Sequence, residues 1–392
     1  MIVKLQTLSA THLSLDSAAS LRDQWTELAG DYFMSEPAWL ENAWRYKHVF
    51  EPGVREENWR GLVVTDMGGK LVGLAPWFAE SQYGIWKLRM AGSGQVCSDY
   101  VQMPGRDGQE LSVAESVANE LLASRRRSGG AGAVDLIEIE GHRAESPQWE
   151  RFFEVMTDAG WKRCSTDIEG SWRISLPGSW EEFDSMVHKS RRRKARRGIK
   201  LLEKGEIEHR VYDTVQAVEK IWPEFVRLHQ IRREQLGQPG CFSDPAFEKF
   251  LRTATLELAA ADRAWLSMVW QDQKPLAVLL MFDSSRTSFM YQSGIDASRM
   301  QLAPGHIINA LTIRHAIRRG KEYFDLLRGD EPYKAGWMAT RIPLGRTRLF
   351  GPTLKGRALH TACRLRNKWR NWNEQRKAIS ADKAQEEAVD ED

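Results

Sequence analysis

The sequence predicts two α/β domains in tandem, each a mainly antiparallel twisted sheet flanked by helices. One order of elements occurs twice along the chain, and in both copies the late strand–helix–strand step reads as a crossover. In the first copy, NWRGLVVTD (58–66), a Gly-Gly turn and KLVGLAPWF (70–78) read as a hairpin. A strand at 85–90, a helix over about 110–126 and the strand AVDLIEIE (133–140) follow. In the second, RAWLSMVWQ (263–271) and PLAVLLMFD (275–283) form the hairpin, followed by a strand at 287–293, a helix over 304–319 and the strand EYFDLL (322–327). Helices open each copy, at 17–29 and 37–48 in the first and at 179–204 and 214–236 in the second. Between the copies, 148–158 suits a helix, and 161–166 and 172–176 suit strands. Pro177-Gly178 then breaks the chain. The expected division is 1–165, 166–352, a basic C-terminal helix at 353–378 and an acidic, disordered tail at 379–392.

Composition narrows the class. The chain has 392 residues, 42% apolar and 28% charged, which excludes wholesale disorder and a bundle of membrane spans. The start alternates like a strand and lacks the apolar core of a secretory signal. Four cysteines, Cys97, Cys164, Cys241 and Cys363, lie far apart without CxxC spacing or histidine partners in sequence. That suits a reducing cytosol, with no zinc site and no disulfide framework. The expectation is a cytoplasmic protein needing no metal.

A net charge of +3 hides strong blocks. Residues 189–204 hold nine Lys/Arg against Glu203, a local +8, and residues 355–377 hold eight against Glu374, a local +7. The last fourteen residues carry six acids and Lys383, a local −5. In VHKSRRRKARRGIKLLEKGEIE (187–208), helical spacing puts Ala195, Ile199 and Leu202 on one stripe. Arg193, Arg196, Arg197, Lys200 and Lys204 share another face. Like charges packed so closely repel unless an anion sits opposite, and arginine's planar fork suits phosphate.

Two further segments complete a candidate site. In LAPGHIINALTIRHA (302–316), Pro304 and Gly305 open an amphipathic helix whose first N–H groups lack intrahelical partners, a seat for pyrophosphate. In FDLLRGDEPYKAGWM (324–338), Asp325, Arg328, Asp330, Glu331, Tyr333 and Lys334 crowd the end of a buried-looking strand. There a carboxylate can take a proton, a tyrosine return one, and a lysine hold developing negative charge. His229 and His306 lie near the same expected cleft.

With these motifs in this order, the second half resembles the GNAT acyltransferases of the CelD/BcsL type, linked to cellulose or exopolysaccharide biosynthesis and related to the FemABX peptidyltransferases. The resemblance is clearest over about 170–345. The first half matches in element order, as a tandem GNAT fold implies. SRRRKARRGIKLLEKG is similar to the family's basic helix, in which, in Fem-type enzymes, an arginine contacts the diphosphate of a nucleotide-linked acceptor; Arg196 is the nearest match and Arg193 the alternative. FDLLRGDEPYKAGW is similar to the family's aspartate–glycine–aromatic–lysine ending, with Tyr333-Lys334 in place of a Phe-Lys pair. The acyl-CoA loop departs from the family: Gln301 keeps its first position, but Pro304 and His306 stand where glycine and small residues belong.

The resemblance implies an acyltransferase passing an acyl group from acyl-CoA to an amine or sugar acceptor bearing phosphate, a glycan precursor for instance. Lys334, Tyr333, Asp330 and Asp325 are the expected catalytic residues. Gln301, Pro304, Gly305 and His306 would hold the donor, and Arg193, Arg196, Arg197 and His229 the acceptor. Two alternatives stand beside it. One is a Fem-like transferase fed by aminoacyl-tRNA, its basic helices holding RNA. The other is a non-catalytic docking protein in polysaccharide assembly. In 353–378, Ala358, Ala362, Leu365, Trp369 and Trp372 share one side of a helix, which either docks on the body or meets an anionic inner-membrane face or a synthase.

Overall fold

The computed structural model describes residues 8–50, 56–127 and 134–389. The start of the chain before residue 8 and the last three residues of the acidic tail lie outside these. In the first half, β1 (Ser9–His12), α1 (Leu15–Ser20), α2 (Arg22–Ala29) and α3 (Pro37–Phe50) precede β2 (Leu62–Thr65) and β3 (Leu71–Ala75). Then come β4 (Trp77–Gln82), β5 (Ile85–Met90), α4 (Glu110–Arg127), β6 (Leu136–Arg143) and α5 (Pro147–Asp158). A long β7 (Lys162–Ser175) leads into the second half, which begins with α6 (Trp180–Met186), α7 (Lys189–Glu203) and β8 (Glu208–Tyr212). α8 (Val215–Gln235), α9 (Pro245–Ala260), β9 (Ala264–Gln271), β10 (Lys274–Asp283) and β11 (Thr287–Ile295) follow. The chain closes with α10 (Pro304–Arg318), β12 (Tyr323–Arg328), the short α11 (Pro332–Ala335), β13 (Thr340–Phe350) and α12 (Leu354–Val389).

Among the described residues, β1, β2 and β3 form a small antiparallel sheet, and the other ten strands form one large sheet in the order β4-β5-β6-β13-β7-β12-β11-β10-β9-β8. Its two parallel pairs are β5–β6 and β11–β12, the steps bridged by α4 and α10. These are the two crossovers expected from the sequence; the fold is mixed α/β with an antiparallel-dominated sheet.

Several elements differ from expectation. Pro76 donates no ladder hydrogen bond, so the strand expected over 70–78 is cut, β3 staying in the small sheet and β4 joining the large one. The two strands expected at 161–176 are one, β7, which pairs with both β13 and β12; the division expected at 165/166 falls inside it. The helix expected over 179–204 breaks where Val187 turns into the core. α9 is an addition to the expected elements, although Asp244 caps it through Oδ1 and Pro245 opens it. The tail expected to be disordered from 379 continues α12 to Val389, in keeping with its run of alanine, lysine, glutamine and glutamate, all strong helix formers.

The halves share a core. Trp39 of α3 packs edge-on against Phe250 of α9 at 4.9 Å and Phe282 of β10 at 5.6 Å, and Phe33 stacks on Phe282 at 4.5 Å. α7 lies against α10 through Gly198, where a Cβ would stand 3.0 Å from Ile307 Cγ1, so even alanine would require Ile307 to give by a few tenths of an ångström. The distant cysteines also find partners that sequence spacing hid. Cys164 and Cys363 meet with sulfurs 3.0 Å apart, and Cys241 Sγ lies 3.3 Å from His229 Nε2. No helix among the described residues is long and apolar enough to cross a membrane.

Candidate active site

The large sheet opens where β11 and β12 part. Their parallel ladder runs only from Thr287↔Tyr323 to Phe289↔Asp325, although β11 continues to Ile295 and β12 to Arg328. Irregularities on both sides widen the opening. The β10–β11 register shifts at Leu280/Met281, and β12 shifts against β7 after Asp325, where Leu327 takes a positive φ of 54°. Two cavities fill the gap. One, of about 350 Å³, is lined by Met290, Ser293, Ile295, Gly305, His306 and Tyr333 among others. Its neighbour, of about 240 Å³, shares Met290, Ser293 and Tyr333 and adds Asp99, Arg233, Cys241, Arg328 and Lys334.

The first cavity lies at the amino end of α10. Ala303, in the left-handed region at φ 57°, caps that helix with no side-chain hydrogen bond. His306 N and Ile307 N both turn back to Ala303 O, so the Gly305 N–H is the donor left over. Gly305 also admits Ile295, since a Cβ there would lie 3.2 Å from Ile295 Cδ1. The His306 ring faces two cations, with Arg191 Nη1 3.0 Å and Lys194 Nζ 3.2 Å from Nε2, the nitrogen that can accept from both. Burial, and then the charges of Arg191 and Lys194, push its pKa down to about 4, leaving a neutral acceptor between two positive groups. A helix start without a side-chain cap, a spare N–H and two cations fit an anionic phosphate.

The expected residues divide sharply. Pro304, Gly305 and His306 gather at this end; Pro304 is the buried first residue of α10, and Gln301, one turn earlier, is exposed and lines neither cavity. Tyr333 stands where the two cavities meet, its hydroxyl without a hydrogen-bond partner among the described residues. Burial raises its pKa, so the phenol stays protonated.

Lys334 lines the second cavity, but its ammonium is already committed. Nζ donates to Leu327 O at 2.9 Å, Arg328 O at 2.8 Å and Gly329 O at 3.0 Å and also pairs with Glu331 Oε2 at 3.0 Å, so its three hydrogens are taken up by the end of β12 and the turn after it. That geometry makes it a clamp on the end of β12, and no N–H remains for an oxyanion. Lys334→Met is expected to lower stability by about 2–3 kcal/mol, since it strips the donors from buried carbonyls; urea denaturation measures it.

Asp325 is completely buried beneath the cleft and reaches neither cavity. Its oxygens accept from Tyr100 Oη at 2.6 Å, Arg173 Nε at 2.8 Å, Ser171 Oγ at 3.0 Å and the Leu327 N–H at 2.8 Å, which leaves no role as base. Asp330 points away, held by both Arg341 Nε (2.8 Å) and Arg341 Nη2 (3.1 Å) and by Trp172 Nε1 (2.9 Å). The Arg341 hydrogen bonds hold its pKa down to about 2, too low for a useful base.

On α7 the structure selects different cations from those expected. Arg193 and Arg197 are exposed, Arg196 pairs with Asp184 at 2.6 Å, and none of the three lines either of the two cleft cavities. Arg191 and Lys194 face the site, because they lie one turn before Ala195 and Gly198, the buried residues against α10. Stepping the Ala195 stripe back by four residues would have found Arg191. His229 is buried behind the wall: its Nδ1 donates to Ser293 O at 3.0 Å, which leaves Nε2 to accept from the Cys241 thiol, and burial lowers its pKa to about 4.

Asp99 is a site residue that the sequence motifs do not reveal. It comes from the first half, lines the second cavity, and accepts from Arg328 Nε at 2.8 Å and Arg328 N at 2.7 Å. Burial pushes its pKa up to about 6 against the opposing pull of Arg328. Of the three aspartates, Asp99 lines a cavity and Asp325 and Asp330 line neither, which makes Asp99 the candidate to exchange a proton with a bound group.

Residues 189–335 match the model of the acetyltransferase (GNAT) domain. The chain is similar in fold to the crystal structure of FemX, with a TM-score of 0.59 at 10% identity over 86% of this chain and 96% of that one. It is also similar to the C-terminal domain of a protein described as a putative lysylphosphatidylglycerol synthetase from Agrobacterium fabrum (TM-score 0.52, 13% identity, 88% and 96% covered). A conserved protein of unknown function from Bacteroides thetaiotaomicron gives a TM-score of 0.54 at 10% identity, with 88% and 100% covered. No curated protein matches the chain.

Proposed function

We propose that the protein is an acyltransferase that moves an acyl group from acyl-CoA to an amine, serving polysaccharide or cell-envelope biosynthesis as the CelD/BcsL resemblance suggests. The observation that carries this reading is the pair of adjoining cavities at the edge of the matched GNAT domain, one at the open amino end of α10 and the other lined also by Asp99 from the first half, with Tyr333 lining both.

In this reading Gly305 N–H, Arg191 and Lys194 hold the donor's phosphates, and neutral His306 orients the two cations. Asp99 takes the proton from the acceptor ammonium, directly or through one water, and the freed amine attacks the thioester carbonyl. The C–N bond forms and the C–S bond breaks, and the second proton that the nitrogen sheds passes by way of the Tyr333 O–H to the departing sulfur, leaving an amide, the CoA thiol and a neutral phenol. A base with a pKa near 6 suits an ammonium far better than a sugar hydroxyl, which favours an amine acceptor. An acceptor phosphate finds Arg233 in the lining of the second cavity. The exposed cations Arg193, Arg197 and Lys200 lie outside both cavities and favour the aminoacyl-tRNA alternative only if RNA binds them.

Thermal-shift screening against acyl-CoAs, free CoA and nucleotide sugars tests the reading. A ligand at a hundredfold excess over its Kd stabilises the native state by about 2.7 kcal/mol. Acyl-CoA and CoA are expected to raise Tm, and Arg191→Ala/Lys194→Ala to weaken that shift by roughly tenfold in Kd, as for lost charge-assisted hydrogen bonds. No shift with any CoA, together with a salt-steep affinity for tRNA, would turn the assignment to the RNA-fed alternative.

A further inference from the structure

α12 has two faces that do different things. One docks on the body. Leu359 and Cys363 pack against Leu136 and Phe350, Asn367 Nδ2 lies 3.2 Å from Cys164 Sγ, and Gly356 sits so close to Gly351 O that a Cβ would stand 2.1 Å from it. The opposite face carries Leu354, Leu365, Trp369 and Trp372, all exposed, with Leu365 at 63% and Trp369 at 62%. At about 100° per residue these four fall within about 60° of one another, directly across the helix from Cys363, and they span about 27 Å of its length. Solvent normally excludes such a stripe: the large side chains that pack the core are here turned outward on a helix that already has a docked side.

Charge borders the stripe. Arg357, Arg364 and Lys368 flank it on one side and Arg366 on the other, all exposed. No acidic residue occurs between Leu354 and Asn373, so nothing on this stretch of helix neutralises them. A second exposed aromatic adjoins the first turn. Tyr83, 93% exposed at the β4–β5 tip, precedes Gly84, whose carbonyl accepts from Lys355 Nζ at 2.7 Å.

We infer that α12 is an interfacial helix that lays its outer face into a bilayer surface bearing anionic lipid. The pattern is that of a helix lying in the plane of the interface: an apolar stripe with tryptophan, cations on both edges, and no length of apolar sequence able to span. Tyr83 adds an amphipathic ring at headgroup level. An RNA surface would leave the apolar stripe in water, since phosphates neutralise cations but bury no leucine. The inference does not depend on the acyl-transfer reading, and it places the body of the protein, docked on the other face, against the membrane.

Flotation of the full chain with vesicles tests it. Wild type is expected to float with an equal mixture of phosphatidylcholine and phosphatidylglycerol, and far less with phosphatidylcholine alone, because each cation near an anionic surface adds roughly a fivefold gain in binding. Leu365→Glu/Trp369→Glu should reduce the floating fraction at least tenfold, and Leu365→Ser/Trp369→Ser, which adds no charge, should reduce it in the same direction. Both pairs alter exposed side chains, so an unchanged thermal melt is expected alongside. Wild type that stays at the bottom with both vesicle types overturns the inference, as does a Leu365→Ser/Trp369→Ser chain that floats like wild type. Total tRNA that displaces the vesicles, and binds equally well to the serine pair, would assign the surface to RNA instead.

Discussion

Asp325→Ala is expected to cost about 3–5 kcal/mol of stability, enough to leave a typical domain marginal. The carboxylate is fully buried and accepts four hydrogen bonds, from Tyr100, Arg173, Ser171 and the Leu327 N–H. Its removal leaves the Arg173 guanidinium, largely buried, without the anion 2.8 Å away. It also frees the Tyr100 hydroxyl, whose pKa burial and then the Asp325 charge hold well above the usual tyrosine range. The bonds lie on elements far apart in sequence: Tyr100 comes from the first half, Arg173 and Ser171 from β7, and Leu327 from the irregular turn of β12. The loss is therefore expected to appear as a cooperative fall in the urea midpoint of the whole chain. Asp325→Asn, which keeps the shape and part of the hydrogen bonding, should cost less. A melt unchanged by Asp325→Ala would show that this carboxylate does not tie the two halves together.

The same residue shows how much the sequence could reveal. Its place on a buried strand was legible, and so was the crossover that makes β12 parallel to β11, because Pro304-Gly305 and the periodicity of α10 are local signals. Its function was not. A carboxylate at a strand end reads alike whether it faces a cavity or a buried arginine, and Arg173 lies 152 residues away in sequence. Lys334 misled for the same reason, since its ammonium meets backbone carbonyls, which leave no mark on residue identity. In α7 the helix and its apolar stripe were readable, but arginines crowd every face. Packing of Gly198 on Ile307 decides which of them point inward, and that contact joins two elements far apart in sequence. Asp99 was the least legible. Its raised pKa arises from burial of a loop in the first half against Arg328, 229 residues on. What local chemistry specifies was read from the chain; what long-range burial specifies was not.

That burial is also where the largest catalytic effect is expected. Asp99→Asn should lower kcat/KM by about 10²–10⁴, the range for losing a positioned general base. The sign of its pH dependence follows from the acid involved. Only the carboxylate form accepts a proton, and with a pKa near 6 that form fills as pH rises through 6. Wild-type kcat/KM should therefore climb about tenfold per pH unit below 6 and level off above it. In Asp99→Asn this limb should vanish while the remaining activity stays flat. Asparagine keeps an acceptor oxygen for only one of the two Arg328 donors, Nε or N, so the CoA-induced thermal shift is measured alongside and is expected to survive if the cleft keeps its shape. That combination separates a lost base from a collapsed site. Arg328 sharpens the test, because its guanidinium pulls the Asp99 pKa down against burial. Arg328→Met should move the limb to higher pH, toward the value burial alone would impose. A limb that stays near 6 in both variants belongs to the acceptor or to another residue, and the base would have to be sought elsewhere in the cavity.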